Sequence, residues 1–318
     1  MNQDYNSHNE ITPKSINNPT ISPIKAATFG LIAVFILYQF GGAILTLLIF
    51  GLDFEKADVN AMRLLTMGGQ ILFILLPALI LSKGVYEDVT KVIRANKPQL
   101  KDFGYAILGL VILIPFLQSM LNIQVYILDK LADNFSLFNS FKLFFDELNK
   151  LVDASYGNLL SAGNVFEYVI VILVIAVTPA VCEEVFFRGF AQKSYELKLK
   201  PWAAILITSL VFGLYHFNPY GLVALIALGM YFGFVAYKTE SIFVVMVLHF
   251  LNNFFSIILY WFFGEDDFST TSFDPPEEIF TDLTVFIILG ILFTAYLVFF
   301  NKNYSNKISE VENDMSNL

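Results

Sequence analysis

Glu183 and Glu184, with Arg188 following, lie within an apolar stretch, as do His216 in Phe212-x-x-x-His216 and the pair His249-x-x-x-Asn253. The chain has three histidines; two lie in apolar surroundings and the third, His8, in a polar tail. Ionisable groups inside long apolar runs are functional candidates by default, because burying them in lipid is costly. A carboxylate, a histidine and a His/Asn donor pair can together activate water and stabilise an oxyanion on a peptide carbonyl. Spacing divides the roles. Glu184 and Arg188, four apart, share a helical face and neutralise each other. Glu183 points about 100° away, finds no basic partner on its own helix, and is the candidate general base. Phe212, one turn before His216, can buttress the imidazole, whereas Cys182 is a small apolar filler.

The same donors permit a metal reading. Glu183, His216 and His249 match a catalytic zinc shell of three protein ligands and one water. Yet the H-E-x-x-H helix is absent, and a metal-bound Glu183 would leave only Glu184 to act as base. Metal-free activation of water is the favoured expectation, with Zn2+ the alternative.

These residues need a membrane to hold them. Of 318 residues 56% are hydrophobic and 15% charged, more apolar and less charged than soluble domains. One crossing takes about 20 mostly apolar residues. Eight segments qualify or nearly so: 26–50, 64–82, 103–128, 164–182, 202–217, 221–237, 241–263 and 283–300. The expected fold is therefore all-α and polytopic, with a mid-membrane site. That site requires the fourth helix to continue past the glutamates to about Tyr195, since otherwise Glu183 would lie at one surface and His216 near the other. With that extension Glu183, His216, His249 and Asn253 fall roughly 12–22 Å from one membrane face. Pro179 would bend this helix one turn before Glu183.

With the N-terminus inside, 14 of the 19 basic residues fall in cytoplasmic loops and tails; Lys56, Arg63, Lys130, Lys142 and Lys150 do not. This bias predicts that both termini are cytoplasmic. A multi-pass protein of the cell membrane, the inner one if the source is bacterial, is expected. Nucleic-acid binding is excluded, because no extended basic surface remains. Residues 1–25 read as a polar disordered tail before an uncleaved first crossing, 26–300 as the membrane domain, and 301–318 as a second polar tail. Residues 134–150 carry an amphipathic helix pattern, read as a cap on the outer side of the bundle or a substrate lid. The acidic run 264–282 lacks the ligand spacing of a calcium loop and reads as solvated.

Taken in order, E-E-x-x-x-R, F-x-x-x-H and H-x-x-x-N over residues 165–255 resemble the CAAX protease and bacteriocin-processing (CPBP, also called Abi) family of intramembrane proteases. The resemblance implies an endopeptidase acting on a membrane-associated peptide or protein in the bilayer. It implies that Glu183 activates water with His216, and that His249 with Asn253 forms the oxyanion hole. Members have been described both as metalloproteases and as glutamate proteases. An ion-coupled transporter would also bury Glu and His, but should show repeated halves, and none is visible. A non-catalytic immunity or scaffold protein of the same fold would be expected to lose part of the constellation, and none is missing.

Overall fold

Long apolar runs in lipid must satisfy their backbone internally, and helices do so. The computed structural model describes residues 16, 18–52, 57–86, 88–264 and 279–316. Among these the protein is all-α, with an isolated antiparallel bridge between Ala95 and Ser241. Nine helices carry the architecture: α1 (Pro23–Phe50), α2 (Val59–Tyr86), α3 (Leu100–Asn134), α4 (Ser136–Leu160), α5 (Val165–Glu196), α6 (Pro201–Tyr215), α7 (Leu222–Thr239), α8 (Ile242–Phe263) and α9 (Ile279–Ser316). The first fifteen residues, with His8, and the acidic run 265–278 lie outside the described residues.

Seven of these helices are long and apolar enough to cross a bilayer. The sequence segments numbered eight, and the difference is α6. It has 15 residues, about 22 Å at 1.5 Å each, and stops at Tyr215 short of the segment's end at 217. Phe217 takes a left-handed conformation at φ 48°, unusual for an aromatic residue, and starts the reversal into α7. Phe29, Leu48, Ile80, Val111, Phe262 and Ile291 are large apolar residues left exposed on the helices, the surface expected of a protein solvated by lipid.

α5 extends through Glu196, as the site required. It is not a uniform α-helix, because π turns occupy Ile172–Val177 and Val185–Ala191 on either side of the glutamates. Each π turn inserts one residue and so rotates the following face by about 100°. α7 lies close against α5 through Gly229 and Gly233. A Cβ at Gly233 would come within 2.7 Å of Gln192 Oε1. This approach lets Arg188 Nη2 and Gln192 Nε2 donate to the carbonyls of Gly229 and Gly233 at 3.3 and 2.9 Å.

One end of the bundle is tied by polar contacts. Arg94 pairs with Glu196 and Glu240, Lys193 reaches Glu240 at 2.8 Å, and Asn96 Nδ2 donates to the Glu240 carbonyl. The loop before α3, the end of α5 and the α7–α8 turn therefore share one end. The amphipathic segment forms α4 and runs ten residues beyond the 134–150 pattern. Arg63 of α2 donates to the carbonyls of Leu159 and Ser161 there, and Tyr220 OH donates to Asp146 Oδ1 at 2.5 Å. α9 continues to Ser316, so that helix runs through residues 301–316, where the polar composition predicts a tail.

Candidate active site

Helices α1 to α8 enclose a cavity of about 760 Å3 whose wall includes Glu183, Phe212, His216, His249 and Asn253. Glu184 and Arg188 lie behind that wall, 0% and 1% exposed.

Glu184 does more than neutralise Arg188. Its Oε1 accepts from Arg188 Nη1 at 2.9 Å, the expected pair four residues apart, and from His249 Nδ1 at 2.7 Å. The guanidinium lies 4.3 Å from the centre of the Phe212 ring, which also stands edge-on to His216 at 4.7 Å. Phe212 thus buttresses His216 on one side and covers Arg188 on the other. The Glu184–His249 contact spans 65 residues of sequence, and no local spacing could have revealed it.

His216 caps the end of α6, and its Nδ1 lies 2.8 Å from the Phe212 carbonyl. A carbonyl oxygen can only accept, so the hydrogen-bond network assigns the proton to Nδ1 and leaves Nε2 with a lone pair. His249 differs. With Nδ1–H given to Glu184, Nε2 donates only when the ring carries both protons.

Asn253 Nδ2 donates to the Ile175 carbonyl at 3.0 Å. Pro179 has no N–H for the carbonyl four residues before it, which is that of Ile175. The proline expected to bend α5 therefore gives Asn253 an acceptor that fixes its amide. One N–H of the amide remains for a ligand. Asn253 Oδ1 accepts from Asn252 Nδ2, which sets the amide's orientation.

Glu183 stands apart from this network. Its Oε2 is buried and has no hydrogen-bond partner among the described residues. Glu184 thus takes two hydrogen bonds on Oε1, while its Oε2, like that of Glu183, has no partner among the described residues; of the two glutamates, Glu183 lines the cavity. Among the described residues no three His, Cys, Asp or Glu side chains are grouped closely enough to hold an ion, so Glu183, His216 and His249 do not fit a zinc shell as they stand.

Other parts of the wall carried no signal in the sequence. Val152, Asp153 and Gly157 bring the second half of α4 to the cavity, and Gln39 of α1 donates to the Tyr215 carbonyl at 3.1 Å, steadying the end of α6 beside His216.

Fold and site define a class, a polytopic helical membrane protein with a glutamate, two histidines and an asparagine around one internal cavity. Residues 165–255, 91 of 318, match the family model described as Type II CAAX prenyl endopeptidase Rce1-like. All seven residues of the three motifs fall in that segment, which makes this part of the chain similar to CAAX-type intramembrane proteases. No curated protein and no solved structure matches the chain.

Proposed function

We propose that the protein is an intramembrane endopeptidase that hydrolyses a peptide bond of a membrane-associated protein or peptide, with water activated by Glu183. The observation that carries this reading is the unpartnered, buried Oε2 of Glu183 on the cavity wall. An orphaned acceptor in low dielectric is costly; Glu184 also keeps its Oε2 without a partner among the described residues, but it lies behind the wall, whereas Glu183 lines the cavity. An oxygen kept open at such a cost suits a water substrate.

In the proposed reaction a water lies between Glu183 and the lone pair of His216 Nε2. Glu183 takes its proton as the oxygen attacks the scissile carbonyl carbon. The carbonyl oxygen becomes an oxyanion and receives hydrogen bonds from His249 Nε2–H and from the free N–H of Asn253. Collapse of the tetrahedral intermediate breaks the C–N bond, and Glu183 returns its proton to the leaving amine.

CAAX-type tails are the first substrate class to test, because the family match names that chemistry. Peptide processing of the bacteriocin type is the second. We place both termini in the cytoplasm on the distribution of Lys and Arg. Comparative proteomics of membranes from cells carrying the intact protein or Glu183→Gln tests the reading. Precursors should accumulate, and the matching products vanish, with the variant; identical profiles would overturn it.

A further inference from the structure

Glu183 is not the only open acceptor on the cavity wall. Gln70 of α2 is 7% exposed and lines the same cavity, and its Oε1 is buried with no hydrogen-bond partner among the described residues. The other amide and hydroxyl side chains around it are engaged. Thr66 donates to the Met62 carbonyl, Gln39 to the Tyr215 carbonyl, Gln118 to Asn122 and Asn252 to Asn253, while Asn218 accepts from the Gly221 N–H.

The backbone places Gln70 next to the chemistry. It immediately precedes the π turn Ile71–Leu75, and this turn packs against Thr178–Glu184, the segment that ends in the two glutamates. Thr66 and Ile74, one turn to either side of Gln70, also line the cavity. An amide could satisfy itself on its own helix only through its donor end, since helix carbonyls accept and interior helix N–H groups are already bonded. The acceptor end, at the cavity wall, is therefore open to a donor brought by a ligand. A peptide in extended conformation supplies backbone N–H groups at alternate positions along each edge.

We propose that Gln70 is a substrate-binding residue whose Oε1 accepts a hydrogen bond from a backbone N–H of the peptide lying beside Glu183. This rests on the protease reading above and assigns α2 a part in holding the peptide. The interaction is made in both the ground state and the transition state, so it affects binding more than turnover.

The test uses the full-length protein in detergent and a fluorogenic peptide with a farnesylated cysteine four residues from its C-terminus. Gln70→Met keeps length and removes the acceptor. It should raise KM by about 2- to 10-fold, the worth of one neutral hydrogen bond, with kcat little changed. Removing an orphaned polar atom should leave the melting temperature equal or higher. Methylating the peptide's backbone nitrogens one at a time should locate one position that costs the wild type the same factor and Gln70→Met nothing further. Wild-type KM in Gln70→Met, a variant melting several degrees lower, or equal losses at every methylated position would each overturn the proposal.

Binding of the same peptide to Glu183→Gln, with and without Gln70→Met, separates the two readings. A peptide that the wild type binds but does not cut refutes hydrolysis, and Gln70 is then judged by whether its loss weakens binding. A wild type that neither binds nor cuts the probe overturns both.

Discussion

Glu184→Gln keeps the side chain's size and removes its charge where α5 and α8 are joined by the Glu184–His249 hydrogen bond. Two bonds to Oε1 change character, from Arg188 at 2.9 Å and from His249 at 2.7 Å, in a setting where neither Glu184 nor Arg188 meets solvent. Arg188 then keeps the Gly229 carbonyl and its place against the Phe212 and Phe232 rings but loses its counter-charge. Removing one partner of such a buried pair costs about 3–5 kcal/mol, chiefly for the charge left uncompensated. Arg188→Met is the informative companion. It leaves Glu184 paired with His249, so its cost should be nearer the loss of a desolvated cation–π contact, about 2 kcal/mol. The two variants also differ in activity. Glu184→Gln withdraws the carboxylate that orients His249, and by analogy with supporting groups around metal ligands turnover should fall by about 10- to 100-fold. Arg188→Met should keep most of it. Thermal melts of the purified proteins, with turnover measured well below each melting point, read both quantities. Arg188→Met as costly as Glu184→Gln in stability and in turnover would refute the assignment of Glu184 as the bridge to His249.

Asn253→Ala should carry a double penalty, a 10²–10³-fold loss of turnover and about 1–3 kcal/mol of stability, because the Ile175 carbonyl loses its donor. A fall in turnover with an unchanged melt would mean that Ile175 does not depend on Asn253. Impermeant labelling of single cysteines on intact cells should mark positions in 134–150 and spare those in 83–102, and the reverse pattern would invert the orientation. At the polar end of the bundle, burial works against the charge of Glu240, but Arg94 and Lys193 beside it outweigh this and hold its carboxyl below the ordinary 4.5. That stabilisation is present above the unfolded value and lost as pH falls through the folded one. Acid below about pH 4.5 should therefore lower the wild-type melting temperature more than that of Glu240→Gln, and parallel acid limbs would refute the contribution.

Much of this was legible in the residues, and what was not has physical reasons. The apolar run through Phe186, Phe187 and Phe190 announced that α5 continues past the glutamates, since nothing polar enough to end it appears before the Lys200-Pro201 break. The Glu184–Arg188 pair and the ring of Phe212 beside His216 followed from spacing alone, because four residues of helix fix both. The bond from Glu184 to His249 joins residues 65 apart and depends on how α5 and α8 pack, which no local pattern encodes. The π turns shift hydrogen bonds by one residue without any compositional mark. Asn253 was placed beside His249 by its period, but its hold on Ile175 required two facts at once, the missing N–H of Pro179 and the approach of a second helix. Gln70 drew no attention as one glutamine in an apolar run, and only its unfilled acceptor at the cavity wall distinguishes it.

The central claim is that Glu183 is the base that activates water. Turnover of the farnesylated peptide by purified Glu183→Gln, beside wild type assayed with and without a strong chelator, tests it most directly. Because Glu183 Oε2 bonds to no described residue, the variant should fold and melt like the wild type while losing about 10²-fold or more in kcat, and chelation should leave the wild type active. A Glu183→Gln protein that cleaves at the wild-type rate, or a wild type silenced by chelation with stoichiometric zinc removed, would contradict the account.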